Sequence, residues 1–152
     1  MLHRKLLLAF LVLPVVLGSA GPALGADWQT DYAKVLETAK RENKRVFLNF
    51  TGSDWCGPCI QLHKRAFSRP EFINYAEKNL VLVEIDYPQR KKQSPALVQQ
   101  NERLAKQYDI EEKGYPTLVL LDPAGKIVRE LSGYDGETAA DLIAWIEGKG
   151  KR

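Results

Sequence analysis

Cysteine is nearly absent from this sequence. Only Cys56 and Cys59 occur among 152 residues, so no separate structural disulfide is available. Histidine is as scarce, with His3 near the start and His63 four positions after Cys59. Cys56, Cys59 and His63 fall one short of the four ligands a structural zinc site needs. Ile60 follows Cys59, where c-type haem attachment requires His. No metal and no cofactor is therefore expected, and His63 reads as an exposed helix residue. An excess of one charge is missing too. The 22 basic residues, less Arg4 and Lys5 near the start, leave 20 against 19 acidic ones. Nothing in that balance points to nucleic acid or to an anionic membrane surface. Repeats and low-complexity stretches are also lacking.

Long apolar runs are confined to one place. Leu6 to Leu17 is interrupted only by Pro14, and it is short of the roughly 20 residues that span a membrane. His3, Arg4 and Lys5 precede it, and small residues follow, with Ala23-Leu24-Gly25 fitting a cleavage site before Ala26 or Asp27. Residues 1–26 thus read as a secretory signal peptide, the alternative being an uncleaved N-terminal anchor. No cysteine lies near that site, which argues against a lipid anchor. Removing 26 of 152 residues leaves one domain, 27–152, of 126 residues in an oxidising compartment. A bacterial periplasm fits best, or secretion. The C-terminal residues carry no endoplasmic-reticulum retention tetrapeptide.

What is present is Trp55-Cys56-Gly57-Pro58-Cys59, preceded by the apolar run Val46 to Phe50 and followed by a helical pattern. Two cysteines at this spacing suit thiol–disulfide exchange, in which a thiolate attacks a disulfide sulfur and a second thiol resolves the mixed disulfide. A sulfur just before a helix faces the free N–H groups of the first turn and the positive end of its dipole. That favours thiolate at Cys56, the expected nucleophile. Cys59, one turn in, is the expected resolving thiol. Pro58 suits a first helical position. Gly57 lets a partner chain come close.

The periodicity around the motif alternates helix and strand. Asp31 to Glu42 reads as a helix with Tyr32, Val35, Leu36 and Ala39 on one face, capped by Thr30. Val46 to Phe50 reads as a strand buried on both sides. One helix is expected from Gly57 to Phe67, broken at Ser68-Arg69-Pro70, and another over Glu71 to Asn79. Leu80 to Ile85 reads as a second buried strand, parallel to the first across a right-handed crossover. Ala96 to Tyr108 reads as a helix, Glu111 to Gly114 as a loop, and Thr117 to Leu131 as a hairpin turning at Asp122 to Gly125. Thr138 to Glu147 completes the pattern, with Ala139, Leu142, Ile143 and Ile146 inward. Between Tyr87 and Pro95 lie Arg90, Lys91 and Lys92, which read as a solvated loop; a docking surface for an acidic partner is the alternative.

The motif resembles the active-site signature of thioredoxins, and the likeness runs from about Asp31 to Ile146. It is strengthened by the preceding strand and by Tyr115-Pro116-Thr117 downstream. The resemblance implies an α/β thioredoxin fold: a central four-stranded mixed sheet, ordered second, first, third, fourth, with helices on both faces. It also implies that Tyr115-Pro116 is the family's cis-proline loop beside the disulfide, with Tyr115 offering its backbone to an extended substrate. From the residues alone, a trans proline opening a strand is the favoured reading, and the resemblance reverses that order. Trp55 is expected to pack beside the motif and to give clients an apolar contact.

Asn49 departs from the family. By strand position it matches the buried aspartate that thioredoxins use to move a proton from the resolving cysteine, although one extra residue within Thr51 to Asp54 intervenes. An amide is no base, and Asp54 lies on a loop. A water or Glu84 is left for the task, and slower resolution by Cys59 is expected. The implied activity is reduction of client protein disulfides by an exported thiol–disulfide oxidoreductase, since Gly57-Pro58 resembles the reducing members. The implied partners are clients with disulfides or thiols and a membrane thiol electron donor, and a monomer is expected. The rivals are a disulfide donor (oxidase or isomerase) and a thioredoxin-fold binding module with regulatory redox.

Overall fold

The computed structural model describes residues 25–150. Residues 1–24 of the expected leader lie outside that range. In chain order the elements are β1 (Trp28–Gln29), α1 (Tyr32–Glu42), β2 (Arg45–Thr51), α2 (Gly57–Leu62), a π-helical turn (His63–Phe67), α3 (Pro70–Asn79), β3 (Leu80–Asp86), α4 (Pro95–Gln107), α5 (Ile110–Lys113), β4 (Thr117–Leu121), β5 (Ile127–Ser132) and α6 (Ala139–Ile146).

The sheet is ordered β1-β3-β2-β4-β5. Strands β2 and β3 run parallel, from Arg45 opposite Leu80 to Thr51 opposite Asp86. β4 lies antiparallel to β2 on its other side, and β5 antiparallel to β4. Four strands thus stand in the expected order, and the expectation of a four-stranded sheet is corrected to five by β1, which pairs parallel to β3 at the edge. Two residues are too few to show any periodicity. This strand is held by packing: the Trp28 ring sits 5.0 Å from Phe67, 6.1 Å from Phe47 and 6.5 Å from Phe72.

Alternation along β2 divides the core in two, as side chains of successive residues leave opposite faces of a sheet. Phe47 joins Leu62, Phe67, Phe72, Leu142 and Trp145, so α2, α3 and α6 cover one face. Val46, Leu48 and Phe50 join Val35, Leu104 and Ile110 under α1, α4 and α5 on the other. Trp145 is buried in α6 where the pattern pointed to Ile143, which is only half-buried.

Several boundaries differ from the sequence pattern for local reasons. Asp31, not Thr30, caps α1, its carboxylate accepting the Lys34 N–H at 3.1 Å. Ser94 caps α4 in the same way, so Pro95 takes the first turn, where its missing N–H costs nothing. The 110–113 stretch is a single helical turn and not a loop. The expected helix from Gly57 to Phe67 changes to π geometry at His63. Ser68 closes that turn, donating both its N–H and its hydroxyl to the His63 carbonyl.

Candidate active site

Strand β2 delivers the chain to the top of the sheet, and α2 carries it back down. The loop between them, residues 52–56, is tied in from both sides. The Gly52 carbonyl accepts the N–H of Cys56 at 2.9 Å and of Trp55 at 3.3 Å. A Cβ on Gly52 would stand 2.3 Å from the Trp55 indole, so only glycine lets the ring fold over this turn. Ser53 donates its N–H and its hydroxyl to the Asp86 carboxylate at the end of β3, at 2.8 and 2.6 Å.

Cys56 is the N-cap of α2, with extended backbone at φ −83° and ψ 102°. Its sulfur accepts the Cys59 N–H at 3.3 Å, one of the donors a helix start leaves unpaired. Gly57 is the first helical residue and Pro58 follows within the same turn. Cys56 and Cys59 are joined by a disulfide, with their Cα atoms 5.3 Å apart. Burial does not separate the two: they are 5% and 4% exposed. Position does, because Cys56 caps the helix and Cys59 lies within it. Nothing stands within 4 Å of a Cβ built on Gly57, so this side of the motif is open to an approaching chain.

The peptide bond between Tyr115 and Pro116 is cis. Thr117 braces the turn by donating its hydroxyl to the Gly114 carbonyl at 2.8 Å. The structure brings this loop to the motif: the Tyr115 ring meets the Trp55 ring edge-on at 5.5 Å. Tyr87, which the sequence did not single out, completes the wall. Its ring lies 5.4 Å from Tyr115, and its carbonyl accepts the Trp55 Nε1–H at 2.7 Å. An aromatic directly after a buried strand was the available signal. Burial pushes the phenols of Tyr87 and Tyr115 up from their ordinary values, so both rings stay neutral.

The family model for the thioredoxin-like domain matches residues 32–148. The chain belongs to the thioredoxin-like family. Disulfide bond reductase DsbH of Chlamydia pneumoniae is 36% identical over 118 residues, covering 78% of this chain and 69% of that protein. The solved structure of a DsbH oxidoreductase superposes with a TM-score of 0.74 at 33% identity, covering 91% of this chain and 96% of the other. Thioredoxin-related protein DsbJ, also of Chlamydia pneumoniae, is 30% identical over 76% of this chain, which spans only 32% of that longer protein. A thioredoxin-like domain with a Cys-Gly-Pro-Cys disulfide at a helix start is a protein-disulfide oxidoreductase.

Against the thioredoxin-like pattern, Asn49 is the site's unusual residue. It is 4% exposed, and its Oδ1 is buried without a hydrogen-bond partner. Two positions before it on the same face of β2, Phe47 packs in one cluster with Leu62 of α2. Asn49 therefore stands on the sheet face that α2, α3 and α6 cover. Glu84 is opposite Asn49 in register, hence on the same face. Burial, and then the charge of Asp86, hold the Glu84 carboxyl above its usual range. Asp54 is elsewhere: its carboxylate accepts the N–H groups of Gln89, Arg90 and Lys91 at 2.9, 2.8 and 3.2 Å. Those bonds, led by that from Gln89, hold its carboxyl below the usual range. His63 is exposed, with Nδ1 3.1 Å from the Ser68 hydroxyl, and no group of three metal-binding side chains occurs among the described residues.

Proposed function

We propose that this chain is an exported reductase of protein disulfides, working through Cys56 and Cys59. The observation that carries the direction is the 36% identity to a protein named as a disulfide bond reductase, over most of this chain. The Gly57-Pro58 pair between the cysteines supports it.

The reaction starts from the dithiol. The Cys56 thiolate, stabilised by the first-turn N–H groups, attacks one sulfur of a client disulfide. The client S–S bond breaks, one client sulfur leaves as thiolate, and a mixed disulfide with Cys56 forms. Cys59 then loses its proton and attacks the Cys56 sulfur. The second client sulfur leaves, two electrons have passed to the client, and the Cys56–Cys59 disulfide remains. Trp55 supplies an apolar platform and Gly57-Pro58 a side without obstruction. Tyr115, held by the cis bond to Pro116, presents backbone to a client segment lying extended across the site. Glu84, opposite Asn49 in register, is the candidate to take the Cys59 proton, since Asn49 cannot.

The oxidised protein must be reduced again, and in an exported setting a membrane thiol electron donor supplies those electrons. The apolar leader of residues 1–26 supports export. Among the described residues, no helix is long and apolar enough to cross a membrane.

An insulin-reduction assay tests the reading. Reduced wild type is expected to precipitate the insulin B chain well ahead of dithiothreitol alone, and Cys56→Ser to fall back to the reagent rate. Equal rates for wild type and Cys56→Ser would end the enzymatic reading and leave the fold as a binding module.

A further inference from the structure

The segment after β3 reads from sequence as a solvated loop, but it is fastened to the active-site loop. Asp54, two residues before Cys56, receives three consecutive backbone N–H groups from Gln89, Arg90 and Lys91. Trp55, the next residue, is bonded to the carbonyl of Tyr87. The loop is also held from below, where the Tyr87 hydroxyl donates to the Asn101 carbonyl at 2.7 Å and Gln93 Nε2 to the Asp86 carbonyl at 3.1 Å. Arg90, Lys91 and Lys92 are all exposed and stand on this fixed base beside the Trp55–Tyr115 wall.

The acidic groups on this side of the site are committed inward. Asp54 is spent on the loop's own N–H groups, and Asp86 on Ser53. Lys91 Nζ reaches to 3.5 Å from the Ser53 hydroxyl, which leaves Arg90 and Lys92 as outward charges. On the far side, past Tyr115, Glu111 and Glu112 are exposed, and the Glu111 charge acts on the Tyr115 phenol. The rim is therefore basic on the Trp55–Tyr87 side and acidic on the other.

We propose that the pinned 90–92 loop is a specificity surface that selects client segments bearing acidic side chains on one flank of the disulfide. Rim charges of this kind act on encounter and register more than on the chemical step. The inference rests on the oxidoreductase reading above, and the test keeps the two apart.

The experiment compares synthetic peptide disulfides of one length, carrying two Glu or two Lys on either flank of the cysteine. With wild type at low ionic strength, the Glu peptide is expected to be reduced about tenfold faster than the Lys peptide in at least one flank order. The preference should fade as salt shortens the Debye length from about 30 Å at 0.01 M to about 3 Å at 1 M. In the triple variant Arg90→Gln, Lys91→Gln, Lys92→Gln the ratio of Glu to Lys rates should collapse toward one. Using this ratio cancels any general effect of the loop on Cys56 reactivity. Equal rates for the Glu and Lys peptides in both orders would overturn the proposal, as would a preference that survives in the triple variant or in high salt. Insulin reduction by wild type serves as the separate check: no reduction of it would overturn the enzymatic reading instead.

Discussion

Cys59→Ser should turn the reduced protein into a covalent trap. Cys56 remains at the head of α2, where its sulfur faces the Cys59-position N–H, so its attack on a client disulfide proceeds. The resolving sulfur is gone, and a hydroxyl at that depth cannot break the mixed disulfide. The expected outcome is a stable one-to-one adduct with a peptide disulfide, seen as a mass increase that dithiothreitol removes. Turnover of insulin should fall to the reagent rate. Cys56→Ser should give no adduct, because Cys59 lies inside α2 and not at its open start beside Gly57. An adduct through Cys59 in that variant would reverse the assignment of the two roles.

Phe47→Ala should be the most damaging core change. Phe47 is fully buried at the centre of β2. Its ring lies 5.8 Å from Phe72, 5.9 Å from Phe67, 6.1 Å from Trp28 and 6.5 Å from Trp145. One side chain therefore joins β1, the π-helical turn, α3 and α6. Truncation of such a ring costs about 3–5 kcal/mol, from lost transfer energy and from the cavity left behind. Urea unfolding of the oxidised protein should show the midpoint falling at an unchanged slope, with the shift multiplied by the slope equal to that loss. A loss below about 1 kcal/mol would mean that the neighbouring rings refill the space and that this cluster is not the keystone of the face.

The motif was legible because all five of its residues are contiguous, and local rules for caps and prolines place them at a helix start. The central strands were legible for a related reason, since Val46 to Phe50 and Leu80 to Ile85 are apolar on both faces. What sequence did not show is contact between distant segments. Asp54 meets Gln89 to Lys91 across some 35 positions, and no local pattern distinguishes that carboxylate from any loop aspartate. The same holds for β1, whose two residues carry no periodicity and depend on Trp28 reaching three phenylalanines. The π turn at His63 shifts which residues of that helix face inward, so a uniform helical period misreads it. The cis bond at Pro116 followed from resemblance to thioredoxins and not from the residues themselves.

Asn49 joins these two levels. From sequence it is a missing base; in the structure it is a buried amide with an unpaired oxygen, on the sheet face that α2, α3 and α6 cover.

The measurement that tests the central claim most directly is the reduction potential of the Cys56–Cys59 couple, from its equilibrium with glutathione or dithiothreitol. A reductase requires a value near about −270 mV, at which the dithiol readily gives up its electrons. A value of about −120 to −180 mV would place the couple with oxidants and isomerases and would contradict the reductase assignment.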